Sequence, residues 1–296
     1  MGEKLLASKF NVIINPFGII YNPISIANAI IRITKCEQYN EQELMYFNNK
    51  FISLEHHGEY SSADKNECLE KINSTILTTN KSLKSASHLL ITLGTAWVYK
   101  HLQQDKIVAN CHKIPQKEFA KTILSLEEIK KSLHKAVQEC RRINNSINIV
   151  FSLSPVRHLN DGVIENQLSK SLLHVAIQQV INEMENCHYF PAYEIMIDDL
   201  RDYRFYKEDL IHPNDIAIKY IWEKFCNSAI EKKSLIAKDK IEEINKAILH
   251  KPFYEKSEEY KKFVLATINK IELLQKDYPE INFKKEISIL IKKLNS

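Results

Sequence analysis

Glycine is scarce, with five in 296 residues against roughly 7% in average proteins. Each one is therefore expected where a side chain is unwelcome, and collagen-like or glycine-rich flexible architectures are excluded. Cys-x-x-Cys pairs are missing too. The six cysteines, at positions 36, 68, 111, 140, 187 and 226, stand far apart, which fits reduced structural thiols rather than a zinc knuckle or a disulfide framework. No metal site is expected. The longest mostly apolar stretches, such as 89–93 and 147–153, fall far short of the roughly 18 residues that cross a bilayer, so no membrane partner is expected. The first ten residues lack the apolar core of a signal peptide, and a cytoplasmic location is the expectation. A dominant charge is also absent: 41 lysines and arginines face 37 acids, and the net +4 matches the excess of fifteen lysines over eleven acids in residues 231–296. A neutral first 230 residues, without a basic stripe or interleaved aromatics, argues against a nucleic-acid partner.

What is present suffices for one large or two ordinary domains, since 44% of the residues are hydrophobic and 26% charged. The periodicity predicts a helix over 64–85, a buried strand from His88 to Leu93 ended by Gly94, and a helix over 126–144. A second buried strand, Ile147 to Leu153, is closed by Ser154-Pro155. A third cycle runs through a helix over 163–185 into Tyr189-Phe190 and the segment Tyr193 to Ile197. Helices alternating with buried strands predict an α/β fold: a three-layer, flavodoxin-like α/β/α arrangement with a mostly parallel sheet. Pro213 suits the first position of a further helix, which places His212 at its N-terminus. Beyond Ser228 the chain turns to lysine, glutamate and isoleucine, with Phe263, Val264, Ile268, Ile271 and Leu274 at helical spacing. The expected organisation is a main domain over 1–230 and a helical extension over 231–296.

In an open parallel sheet, ligands bind beyond the carboxyl ends of the strands. That geometry favours Gly94-Thr-Ala-Trp97 and Asn110-Cys-His-Lys113, then Ser154-Pro-Val-Arg-His158, then Leu200 to Tyr206 and Asp209-Leu-Ile-His-Pro213. The last carries the sharpest chemistry. An aspartate three residues before a histidine can supply a general base and the acid that orients it, although the same pattern also occurs at ordinary helix starts. Ser154 also sits at a strand end, but a Ser-Pro turn accounts for it.

Leu89-Leu-Ile-Thr-Leu-Gly-Thr95 resembles the third sequence block of the SGNH, or GDSL-type, hydrolases, and Asp209 with His212 resembles their final Asp-x-x-His block. Over nearly its full length the chain is similar to the GSCFA family, an SGNH-like group. The similarity rests on Asn15-Pro-Phe-Gly-Ile-Ile-Tyr-Asn-Pro23, Thr92-Leu-Gly-Thr-Ala-Trp97, Asn110-Cys-His-Lys113 and Ser154-Pro-Val-Arg-His158. Tyr189-Phe-Pro-Ala-Tyr-Glu194, Leu200 to Tyr206, Asp209 to Pro213 and His250-Lys-Pro-Phe253 add to it. The resemblance implies a bacterial-type serine esterase or acyl-transfer enzyme for an O-acylated small molecule or glycan, needing no cofactor. His212 would be its general base and Asp209 the orienting acid. It also implies oxyanion donors, for which Gly94 and Asn110 are the candidates because Ala96 replaces the usual asparagine. His112, Lys113, Arg157 and His158 are candidates for binding substrate charge. Arg201 and Arg204 are expected to form an ion-pair lattice with Asp199 and Asp202 that positions the Asp209 loop.

One departure stands against these matches. The family's Gly-Ser-Cys-Phe-Ala motif, whose serine matches the SGNH nucleophile, is absent, for the chain contains no Gly-Ser pair. The resemblance implies that the chain starts downstream of this motif and of a central first strand, so it is expected to be truncated and inactive. Losing five or six buried apolar residues at about 1.5–3 kcal/mol each would exceed a typical net stability of about 5–15 kcal/mol, so poor stability is expected as well. A catalytically dead carbohydrate-binding or scaffold protein is the competing reading, and an interaction protein using the basic tail is a further one.

Overall fold

The computed structural model describes residues 1–254 and 257–295. In chain order its elements are α1 (Gly2–Ala7), α2 (Pro23–Lys35), β1 (Met45–Phe47), β2 (Lys50–Ile52), α3 (Lys65–Leu83), β3 (His88–Leu93), β4 (Trp97–His101), β5 (Lys106–Val108) and β6 (Phe119–Ile123). There follow α4 (Leu126–Ile143), β7 (Asn148–Leu153), α5 (Val163–Glu183), β8 (Cys187–Phe190), a short α6 (Ala192–Glu194), α7 (Asp215–Ala229), α8 (Lys232–Leu249), α9 (Glu258–Asp277) and α10 (Lys284–Asn295). Two compact units emerge: Ile13–Ile221, and Met1–Val12 together with Trp222–Ser296.

In the first unit the boundaries follow local chemistry. Asp64 and Ser125 accept backbone hydrogen bonds from Glu67 and Glu128, the third residues of α3 and α4, and so start these helices. Apolar residues three and four apart then face inward: Cys68, Ile72 and Ile76 on α3, Ile129, Leu133, Val137 and Cys140 on α4, Leu173, Ile177 and Val180 on α5. They cover a three-stranded sheet in the order β3-β7-β8, parallel throughout, with Leu93 opposite Leu153 and Phe151 opposite Tyr189. The fold class is α/β. β7, paired on both sides, is buried along nearly its whole length. β3 is an edge strand, and His88, Leu90 and Thr92 on one of its faces are exposed, so it is less covered than its apolar sequence predicts.

Two further expectations are corrected. Tyr193 to Ile197 is helical, formed by α6 and a π-type turn over Ile195–Asp199. Pro213 lies two residues ahead of α7, in an isolated bridge with Tyr206. Asn214 caps the helix instead, accepting from the backbone N–H groups of Ile216 and Ala217 at 3.1 Å each. The antiparallel sheet β5-β4-β6 and the hairpin β1-β2 were not anticipated.

In the second unit, α8, α9 and α10 bury Ile241, Ile244, Tyr260, Val264, Ile271, Leu274, Phe283 and Leu290 in a core of their own. The chain's first residues join them. Lys9 Nζ donates to Glu286 at 2.6 Å and to the Asn282 carbonyl at 3.0 Å, and the Asn245 amide donates to the Ala7 carbonyl at 3.0 Å. All six cysteines are free thiols, and Cys68, Cys140, Cys187 and Cys226 are buried. Among the described residues no helix is long and apolar enough to cross a membrane.

Candidate active site at the strand ends

The loop before α7 folds on itself because Asp209 acts as its organiser. Asp209 Oδ1 accepts from the backbone N–H groups of Ile211 and His212, both at 2.9 Å, while Oδ2 lies 2.7 Å from His212 Nδ1. This geometry turns the chain back within three residues, with Leu210 in the left-handed region at φ 55°. The two backbone donors and the imidazole hold the Asp209 carboxyl well below the usual range, at about 2. The carboxylate therefore fixes the imidazole by its Nδ1 edge and leaves Nε2 as the edge that can meet a proton donor. Both side chains are about half exposed, at 53% for His212 and 43% for Asp209.

The anchor of this loop differs from the expected lattice. Arg204 pairs with Asp202 at 3.0 Å and Arg201 with Asp198 at 3.2 Å, both exposed and local, while Asp199 accepts from the Tyr220 hydroxyl at 2.8 Å. Arg157 holds the loop instead. Its backbone N–H donates to the Ile211 carbonyl at 3.3 Å, its guanidinium donates to the Leu210 carbonyl at 3.4 Å, and the same group lies 4.5 Å from the Tyr206 ring centre. Arg157 thus braces the loop.

His158, the next residue, closes over the end of β3. Its ring meets Tyr21 edge-on at 5.8 Å, and its backbone N–H donates to Asn166 Oδ1 at 2.8 Å. A Cβ at Gly94 would sit 3.2 Å from both His158 Nε2 and Tyr21, which explains the glycine there. Burial pushes the His158 imidazole down to about 4; the Lys170 ammonium and His212 act in the same direction and Asp161 against them. The Gly94 N–H donates to the Tyr21 carbonyl at 2.8 Å. Ser154 closes a turn, its Oγ accepting from the Val156 N–H at 3.3 Å.

Asn110, His112 and Lys113 gather elsewhere in this unit. The Asn110 carboxamide oxygen accepts from the His112 N–H at 2.8 Å, and His112 Nε2 meets the Ser53 carbonyl at 2.8 Å. His112 and Lys113 both take left-handed backbone, at φ 48° and 61°, a tight turn that presses the imidazole onto the β2–α3 connection. The 15–23 segment runs between the two groups. Phe17 packs on His56 at 4.1 Å and Tyr21 meets His158 edge-on, while a Cβ at Gly18 would overlap the His57 side chain.

The sequence reading missed the polar face of α5. Asn166, Ser169 and Lys170 are buried, with Lys170 only 1% exposed. Ser169 Oγ accepts from the Ala96 N–H at 2.7 Å, and Lys170 Nζ donates to the carbonyls of Gly94 and Ser154, both at 2.7 Å. Burial pushes Lys170 down to about 7, with Glu194 opposing. The available signal was the spacing of Asn166, Ser169 and Lys170 at i, i+3 and i+4, which puts three polar residues on one face of the helix. No cluster of three or more His, Cys, Asp or Glu side chains suited to a metal exists among the described residues.

A search of curated proteins returned no match. Family models matched twice: the model described as the GSCFA domain protein, C-terminal domain, over residues 241–296, and that of the GSCFA family over residues 1–225. With its model covering residues 1–225, most of the chain, the protein belongs to the GSCFA family.

Proposed function

We propose that this chain carries the acid–base half of an SGNH-like serine hydrolase acting on an O-acylated small molecule or glycan. The observation that carries the reading is the Asp209–His212 pair, 2.7 Å apart beyond the carboxyl ends of a parallel sheet, with the carboxylate held by two backbone N–H groups. In that arrangement His212 Nε2 takes the proton of an attacking hydroxyl and later returns it to the leaving alkoxide, while Asp209 fixes the tautomer and balances the imidazolium. The attacking serine in this reading is that of the family motif, which the 296 residues do not contain. The chain by itself is therefore expected to be silent.

A second reading, a binding or scaffold role without catalysis, draws on a specific observation. The backbone N–H groups of Gly94 and Ala96, both favourably placed at the end of β3, are already bonded to Tyr21 and Ser169, so neither stands ready to stabilise an oxyanion. The two readings part in one assay. Hydrolysis of p-nitrophenyl acetate is measured for the 296-residue chain, for a form with the family's Gly-Ser-Cys-Phe-Ala strand joined ahead of Met1, and for the joined form carrying His212→Ala. Activity in the joined form alone, falling at least about a hundredfold with His212→Ala, supports the hydrolase. Equal rates in the joined form and its His212→Ala variant, or silence in all three, overturn it in favour of binding.

A further inference from the structure

The ladder between β3 and β7 ends in register at Leu93 and Leu153, with one further bond from the Ser154 N–H to the Leu93 carbonyl at 2.9 Å. Beyond it the carbonyls of Gly94 and Ser154 lie side by side. Both are taken by the ammonium of Lys170, a cation buried on the inward face of α5. A hydroxyl or an amide could satisfy carbonyls, so the choice of lysine adds something a donor alone does not: charge. Among the described residues no carboxylate is hydrogen-bonded to that charge. Glu194, on α6, acts on it from a distance while accepting the Tyr189 hydroxyl at 2.7 and 2.8 Å, and the Tyr193 ring centre lies 5.4 Å from Nζ.

We propose that Lys170 is a positioning residue of this site, clamping the Gly94 and Ser154 loops at one spacing and, when protonated, setting a buried positive charge behind His158. The inference rests on reading Asp209–His212 as the proton-transfer pair, and it divides labour between two neighbouring histidines. Gly94 links the two: its carbonyl takes the Lys170 ammonium at 2.7 Å, and a Cβ on it would lie 3.2 Å from His158 Nε2; the charges that act on His158 are those of Lys170 on α5, Asp161 in the 159–161 turn and His212 in the 207–212 loop. With Lys170 charged, a proton on His158 is repelled, so His158 stays an uncharged hydrogen-bonding wall while His212, held by Asp209, carries the proton. Asn166 and Ser169, bonded to the His158 N–H and the Ala96 N–H, hold the same loops without charge.

The test is NMR titration of the histidine rings in the full 296-residue chain, wild type against K170M and K170Q. Removing the charge is expected to raise the proton affinity of His158 at least about threefold in both variants, with His112 unmoved as the internal control. K170Q keeps a donor for the carbonyls, so it separates charge from clamping. Folded variants in which the His158 midpoint stays put overturn the proposal. Should both variants fail to fold, the wild type decides. The inflection of the Lys170 Cε resonance is expected to reappear as a minor second inflection in the His158 ring shifts, well above the ring's own midpoint, and a His158 curve without it refutes the coupling. None of these readings needs turnover, so a chain silent in the ester assay refutes the hydrolase without touching this result. In an active form, K170M adds a second acidic limb to the pH–rate profile, which loss of structure alone would not do.

Discussion

His56 is completely buried, its Nδ1 2.8 Å from Ser53 Oγ and its ring packed on Phe17, Tyr39 and Tyr60. Burial pushes its imidazole down to about 3, with Arg32 and His112 adding to the effect. The sign of the pH dependence follows. Unfolded, His56 and His158 take up protons near pH 6.5, whereas folded they resist until about 3 and about 4; between those limits the unfolded chain binds more protons, so stability falls as pH falls. His56 alone is worth roughly 3 kcal/mol by pH 4. Urea midpoints measured from pH 7 to pH 4 should drop steeply, and a His56→Gln variant should flatten the profile. An equally steep variant would assign the slope to other groups. Asp209 is shifted in the same direction, at lower pH. Its depressed carboxyl stays ionised down to about 2, so an acidic limb in any activity at higher pH belongs to another group. Asp209→Asn should lower hydrolysis in the joined form by about 100-fold or more while the thermal midpoint stays unchanged.

At the scale of elements, the start of α7 governs how firmly His212 is held. Besides capping, the Asn214 amide donates to the Arg204 carbonyl at 2.6 Å and the Tyr206 carbonyl at 3.4 Å. Asn214→Ala should therefore cost about 1–2 kcal/mol in denaturant unfolding and broaden the His212 ring resonances, because Pro213 alone separates the two residues. Unchanged stability would show that Pro213 and the Tyr206 bridge suffice. The same scale explains what could be read in advance. β3 and β7 were legible as short apolar runs between helical periods, and Asp209 with His212 as a local pair whose bonds span three residues. Ile195 to Ile197 was misread because so short an apolar stretch fits either period. α5 hid its role by inversion: near its start it exposes Val163, Ile164 and Leu168 and buries Asn166, Ser169 and Lys170. Only the position of the strand ends, a tertiary fact, reveals why. β4, β5 and β6 are short and partly charged, so their pairing left little trace in composition.

At the scale of the whole molecule, the chain's two ends share one unit. Lys9 and Glu286 are 277 positions apart, yet their bond, the Asn245–Ala7 bond and the Lys9–Phe283 ring contact at 5.2 Å hold residues 1–12 with the last helices. Closing so long a loop costs entropy that only the completed α8–α10 core can offset. At about 5–20 residues per second, synthesis of the intervening stretch lasts roughly 15–55 s. For that time α1, six residues long, is too short to hold a helix in water and must wait while residues 13–221 can already fold. Pulsed hydrogen exchange during refolding should accordingly show the amides of β3 and β7 protected before those of α1 and α10. Simultaneous protection would mean that the ends meet early. Residues 1–12 would then be among the last to find their place, bare and within reach of chaperones and proteases until α10 arrived.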